Sequence, residues 1–179
     1  MGKVLKYKEE VTKAMELLAQ HPKTIFIGQA VVYSGSVLSE TLRNVPIEKK
    51  LELPVMEECQ MGLSIGLSLE DYIPVSVYPR IDFLLLAINQ LSNHLDVLTE
   101  LTHNEFRAKV IIRTIIGSKQ PFYPGIQHCR DHTKVFEALL ENVRVIKLEE
   151  AQTVVPSYLE ALKSDKSTLL IEIAELYND

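Results

Sequence analysis

Two cysteines in 179 residues are too few for a disulfide framework, and neither belongs to a CxxC pair that would suggest a metal. The formal net charge is −5, so no basic face is available to neutralise many phosphates, which argues against a nucleic-acid surface. No apolar run approaches the length of a membrane span. The opening "MGKVLKYKEEV" is charged rather than apolar, which predicts no signal peptide. Lys6 stands where a myristoylation signal needs Ser or Thr. These absences predict a cytoplasmic protein that binds neither nucleic acid nor membrane. No internal repeat, low-complexity stretch or linker divides the chain, so residues 1–179 read as one domain.

Hydrophobic residues make up 46% and charged residues 24%, enough for a substantial core in a chain of this length. Val11, Ala14, Met15, Leu17 and Leu18 recur at helical spacing within Tyr7 to Gln20. Strand-like runs follow at 24–31, at "KKLEL" before Pro54, at 73–78, 109–115, 143–148 and 168–173. Helical patterns separate them at 57–69, as one long Leu-rich helix over 82–102, and at 132–141 and 151–164. The strands are largely apolar runs rather than alternating ones, as in a parallel sheet covered on both faces. The expectation is a three-layer α/β/α domain with a mostly parallel sheet of about six strands.

The segment "LELPVMEECQMGLSIGLSLEDYIPVSVY" (51–78) puts two glutamates where a strand hands over to a helix. In open α/β sheets ligands gather at that edge. A first-turn acid also has a plain explanation, since it complements the helix dipole. Gly62, Ser64, Gly66 and Ser68 imply close packing of the helix, because interior glycine costs about 1 kcal/mol unless a neighbour needs the room. Gly62 and Gly66 share a face and are the expected contact across a two-fold axis.

"PVMEECQMGLSIGLSLEDYIPVSVY" resembles the glutamate segment of the pyrimidine-binding domain of thiamine-diphosphate enzymes, most closely the beta subunit of 2-oxo acid dehydrogenase first components and more distantly transketolase. The likeness runs on through "RIDFLLLAINQLSNHL" (80–95), with Asn89-Gln90 at the family's acid-or-amide–Gln pair. It continues through "VIIRTIIG" (110–117), "GIQHC" (125–129) and "TLLIEIAELYND" at the end. "FIGQAVVYSG" (26–35) matches the first strand and loop, with Gln29 where an acid is commoner. The 118–124 stretch departs from the family's Gly-rich loop through Lys119, Pro121 and Pro124.

The resemblance implies that Glu57 activates the cofactor aminopyrimidine, with Glu58 as the alternative one register away. It implies that Met56 and Phe83 contact the cofactor, and that His128 lines the substrate entrance as a second catalytic residue, with His132 as competitor. A carboxyl suited to this work shares a proton with a ring nitrogen in a dry site. Cys59 and Cys129 flank these positions and read as inert.

The family holds the diphosphate and its Mg²⁺ on a second domain carrying Gly-Asp-Gly and a later Asn. This sequence has neither that motif nor a P-loop. The resemblance therefore implies one half of a split enzyme acting on a small keto substrate, paired with a chain that binds the diphosphate and metal. A homodimer or larger assembly is also expected. Two other readings stay open: a non-catalytic scaffold or regulatory relic of the same domain, and a flavodoxin-like nucleotide binder, which lacks a Gly-rich loop after the first strand.

Overall fold

A computed structural model describes residues 5–33 and 36–178. The first helix, α1 (Tyr7–Ala19), buries Val11, Ala14, Met15 and Leu18, the stripe that the spacing predicts. Six strands follow: β1 (Thr24–Gly28), β2 (Lys50–Glu52), β3 (Ile73–Tyr78), β4 (Ile111–Ile116), β5 (Arg144–Lys147) and β6 (Thr168–Ile173). They form one all-parallel sheet in the order β2-β1-β3-β4-β6-β5. Every residue of β3 is buried, as the unbroken apolar run requires of a strand covered on both faces.

The helices are α2 (Val37–Thr41), α3 (Glu57–Leu69), α7 (Thr133–Leu139) and α8 (Ala151–Lys163), with α4 to α6 between β3 and β4. Two cores flank the sheet. Met15, Leu18, Phe26 and Tyr158 lie in one, and Met61, Tyr78, Leu91 and Phe136 in the other. This is the expected three-layer architecture. None of the helices is long and apolar enough to cross a membrane, among the described residues.

Two expected elements differ. The first strand ends at Gly28 rather than Val31. Gly28 has φ +148°, and a Cβ there would lie 2.2 Å from the Val77 carbonyl, so the chain leaves the sheet at a position only glycine fills. The Ser34-Gly35 part of the matching loop lies outside the described residues. The long helix over 82–102 is broken into α4 (Ile81–Leu84), a 3₁₀ turn (Leu85–Ala87), α5 (Ile88–Gln90), a π-helical turn (Leu91–Leu95) and α6 (Leu98–Leu101). After the π turn, Asp96 is buried and accepts the backbone N–H groups of Glu141, Asn142 and Val143 at 3.0, 2.8 and 2.7 Å. One carboxylate thereby satisfies the loop that launches β5.

The Gly/Ser pattern of α3 divides between two faces. Gln60, Ser64 and Ser68, spaced by four, point into the sheet. Gln60 Nε2 donates to the Val77 carbonyl at 3.0 Å and to Ser76 Oγ at 3.1 Å. Ser64 Oγ meets Ser76 Oγ at 3.0 Å, and Ser68 Oγ accepts Lys109 N–H at 2.6 Å. Gly62 and Gly66 look away from the sheet, and a Cβ on Gly66 would meet nothing within 4 Å. The serines account for the close packing on the sheet, whereas the glycines leave an open outer face.

Arg113 and Glu172 form a fully buried ion pair between β4 and β6, with Nε to Oε1 at 2.8 Å and Nη2 to Oε2 at 3.0 Å. Tyr158 and Tyr177 each donate a phenolic O–H to Glu172, and Thr41 Oγ1 accepts from Arg113 Nη2 at 2.8 Å. Burial is the largest single influence on Arg113 and opposes its charge, but Glu172, with Tyr177 and Tyr158 beside it, together outweigh that and raise its pKa.

Candidate functional site

The chain leaves β1 toward β2 on one side and leaves β3 toward β4 on the other. Their carboxyl ends therefore flank a topological switch point, where open α/β sheets collect ligands. Glu57, the first residue of α3, sits here and is only 5% exposed. Gln29, just past β1, donates from Nε2 to Glu57 Oε1 at 3.2 Å. Tyr78, the last residue of β3, donates its O–H to the Glu57 carbonyl at 3.3 Å. Glu57 Oε2 has no protein partner among the described residues.

Glu58 is exposed, and Gln90 Nε2 reaches its Oε1 at 3.4 Å. The neighbouring glutamates thus occupy different surroundings, as helical geometry dictates for consecutive positions. One is buried against the sheet edge, and the other is held on the surface. An open cleft of about 800 Å³ runs along this face, lined by Met56, Glu57, Glu58, Gly62, Leu86 and Gln90, among others. Met56 is 52% exposed at its mouth, and Cys59 lies in its wall.

Phe83 and His128 form a separate pair. Their rings meet edge to face, with centroids 5.4 Å apart and planes at 83°. Neither lines the Glu57 cleft. His128 belongs to a 3₁₀ turn (Ile126–His128) in the loop after β4, and its Nδ1 is buried without a hydrogen-bond partner. That loop folds back over Gly117, where a Cβ would lie 1.9 Å from the His128 carbonyl oxygen. The competitor, His132, is buried and contacts Asp82 through Nε2 to Oδ1 at 3.1 Å, which ties α7 to α4. Asn89 is exposed and accepts from Asn93 Nδ2 at 2.9 Å, away from Glu57. Cys129 Sγ lies 3.2 Å from the Ser118 carbonyl.

Glu52 was not legible as a site residue. Its Oε1 accepts Ala30 N–H at 2.6 Å, and its Oε2 accepts Val31 and Val32 N–H at 2.9 and 2.8 Å. Ala30 has φ +55°, a left-handed conformation that an alanine rarely adopts. The Glu52 carboxylate gathers the three amides and holds the turn that presents Gln29 to Glu57. The only sequence signal is an acid at the carboxyl end of a parallel strand, just before Leu53-Pro54.

Among the described residues no group of three or more His, Cys, Asp or Glu side chains is arranged to hold a metal. What the site offers is a buried carboxyl with one free oxygen beside an open, partly apolar cleft.

No family model matches the chain. Among curated proteins, it is 23% identical over 184 residues to the pyruvate dehydrogenase E1 component subunit beta of Staurastrum punctulatum, covering 99% of this chain and 54% of that protein. The same subunit of Gracilaria tenuistipitata var. liui is 26% identical over 131 residues, covering 72% of this chain and 39% of its own length. The chloroplastic beta-3 subunit of Arabidopsis thaliana is 28% identical, covering 72% of this chain and 31% of the relative. The chain thus spans about half or less of the relatives it matches.

Among solved structures, a split gene transketolase described as an inactive beta4 tetramer superposes with a TM-score of 0.71 at 19% identity, covering 95% of this chain and 51% of the other. Transketolase from Campylobacter jejuni gives 0.74 at 13% identity, covering 95% and 26%. The resemblance read from the sequence is borne out. The chain is similar to 2-oxo acid dehydrogenase beta subunits along nearly all its length, and it has the transketolase-like fold.

Proposed function

We propose that this chain is the pyrimidine-binding subunit of a split thiamine-diphosphate-dependent enzyme of the 2-oxo acid decarboxylase, dehydrogenase or transketolase type. In this reading Glu57 is the carboxyl that activates the cofactor aminopyrimidine. The observation that supports it most is the burial of Glu57 at the switch point, with Gln29 on one carboxyl oxygen and no described residue on the other. An acid that only complements the helix dipole has no need of burial, and Glu58 in the same turn shows the exposed alternative. Oε2 is the oxygen available to share a proton with a ring nitrogen, while the Gln29 amide fixes the carboxyl plane.

When bound, the cofactor would supply a thiazolium carbanion. This chain would hold its pyrimidine end with Glu57, with Met56 at the cleft mouth and Phe83 as a further contact. His128, braced edge-on against Phe83, would handle protons at the substrate entrance. In this reading the diphosphate and Mg²⁺ fall to a second chain. The exposed Met56, Leu63 and Leu86 around Gly62 form an apolar rim suited to burial in that assembly, which includes a homodimer or larger oligomer of this chain. The substrate is a small keto compound.

The test reconstitutes the chain with a partner carrying the Gly-Asp-Gly motif, thiamine diphosphate and Mg²⁺, and follows hydrogen exchange at the thiazolium carbon. Glu57→Gln keeps size and hydrogen-bonding capacity, so fold and partner binding survive while exchange slows about 10²–10⁴-fold. Glu58→Gln exchanges like the parent. Equal exchange in both variants makes Glu57 a helix-start acid only. A parent that never accelerates exchange points to the non-catalytic scaffold.

A further inference from the structure

Arg80 lies two residues beyond β3, and its guanidinium is unsatisfied. Nη1 donates to the carbonyl of the preceding Pro79 at 2.7 Å, which is its only hydrogen bond among the described residues. Nε is buried with no partner. No carboxylate pairs with it within the described residues. Asp82, the nearest acid in sequence, is engaged with His132 instead.

The chain shows what this group takes when it is satisfied. Arg113 meets the Glu172 carboxylate with Nε and Nη2, the side-on edge of the guanidinium. On Arg80 neither Nε nor Nη2 has a hydrogen-bond partner among the described residues, and Nε is buried against Gly117, so an anion would be met by Nη2 first and by Nε once the side chain turns toward the cavity. A partly buried guanidinium without an anion costs free energy, and its planar fork matches a carboxylate or phosphate with two parallel N–H donors.

The space beside Arg80 fits such a ligand. A cavity of about 280 Å³ is lined by Arg80, Ile115, Ser118, Gln120, Phe122 and Ala174, among others, and by no Asp or Glu among the described residues. It lies over the carboxyl ends of β3, β4 and β6, the ligand-gathering edge of a parallel sheet. Lys8 lines it too, but its ammonium is paired with Glu40. The volume falls just under the roughly 300–1,000 Å³ of pockets that enclose whole drug-sized ligands, so it suits one end of a small molecule. Gly117 links the cavity to the candidate catalytic loop. A Cβ at that position would lie 3.2 Å from Arg80 Nε and 1.9 Å from the His128 carbonyl oxygen, so both residues converge on one backbone position.

We propose that Arg80 forms an oxyanion subsite in this cavity, holding the carboxylate or phosphate of a small-molecule substrate beside His128. The assignment of that anion to a substrate rests on the function proposed above; the binding of the anion itself does not.

The test therefore uses the chain alone, without cofactor or partner. Pyruvate and inorganic phosphate are titrated separately at constant ionic strength, with sodium chloride as the control. The Arg80 Nε–H resonance and the amides of Gly117 and Ser118 are followed by ¹⁵N NMR. A saturable shift with one or both oxyanions, weakened at least tenfold in Arg80→Gln and less in Arg80→Lys, is the expected result. Tighter binding of phosphate identifies a phosphorylated substrate, and tighter binding of pyruvate a 2-oxo acid. Shifts no larger than those from chloride, or affinity unchanged in Arg80→Gln with the folded amide spectrum intact, overturn the proposal. Either outcome leaves the Glu57 exchange experiment unaffected, so failure of one reading is distinguishable from failure of the other.

Discussion

Gln29 Nε2 meets Glu57 Oε1 at 3.2 Å, a neutral donor set against a buried carboxyl. The pairing joins the turn after β1 to the start of α3 across the switch point of the sheet. An amide here tolerates either protonation state of Glu57, because its N–H donates to an oxygen that carries no proton in both. A second carboxyl in its place could not.

Gln29→Glu should make stability pH-dependent in a way the parent is not. Two carboxyls in contact cannot both ionise cheaply, so the folded variant retains a proton that the unfolded chain gives up above the usual glutamate range of about 4.3. The folded-state pKa of the pair is thus raised. Stability is fully present below about pH 4 and is lost as pH rises, by roughly 1.4 kcal/mol per unit of displacement. Urea unfolding at pH 5 and pH 8 should show the deficit relative to the parent widening at pH 8. An identical deficit at both would mean that the carboxyls do not meet.

The seven tyrosines divide into two sets. Tyr33, Tyr72 and Tyr123 are exposed, whereas Tyr7, Tyr78, Tyr158 and Tyr177 are buried. Burial pushes all four buried phenols up, and nearby carboxylates add to it: Glu172 for Tyr7, Tyr158 and Tyr177, and Glu57 for Tyr78. With folded pKa values above the unfolded one, stability is complete below about pH 10 and falls as pH climbs past it. Absorbance near 295 nm should show four phenols ionising only together with the loss of tertiary structure. Ionisation of all seven before any unfolding would contradict the burial.

Glu52→Gln should cost about 1.5–3 kcal/mol, the range for hydrogen bonds to a charged acceptor. Replacing either oxygen with an amide NH₂ turns a donor toward at least one of the Ala30, Val31 and Val32 N–H groups, which are donors themselves. The same change at the exposed Glu58 should be close to neutral. Urea unfolding gives the magnitudes. Faster hydrogen exchange at residues 30–32 in the Glu52 variant locates the effect in the turn that carries Gln29.

The parallel sheet and the start of α3 were legible because they depend on local signals, namely unbroken apolar runs and an acid pair after a strand-ending Pro54. The Arg113–Glu172 pair was not read from the sequence, although a trace of it is there. Each interrupts an apolar strand run, "VIIRTII" and "TLLIEI", and two opposite charges inside neighbouring strands point to a buried pair. The breaks in the 81–101 helix left no trace, because a π turn adds one residue to the backbone spacing without altering the Leu-rich composition. Glu52 and Asp96 were silent for a related reason. Their partners are backbone N–H groups, which every sequence has, so nothing in the side-chain pattern announces a carboxylate that gathers three of them. The same holds for Arg80, whose singular property is a missing partner.

β6 sits between β4 and β5, yet it is the last of the six strands to be synthesised. While it is still within the ribosome, β5 has no neighbour at all and β4 has a bare inner edge. Arg113 is then already in the nascent chain without its counter-ion. The sheet therefore cannot zip up in the order it is made. The emerging chain must keep β4 from pairing with a wrong strand until Glu172 arrives, and the unpaired charge of Arg113 is itself an obstacle to such mispairing.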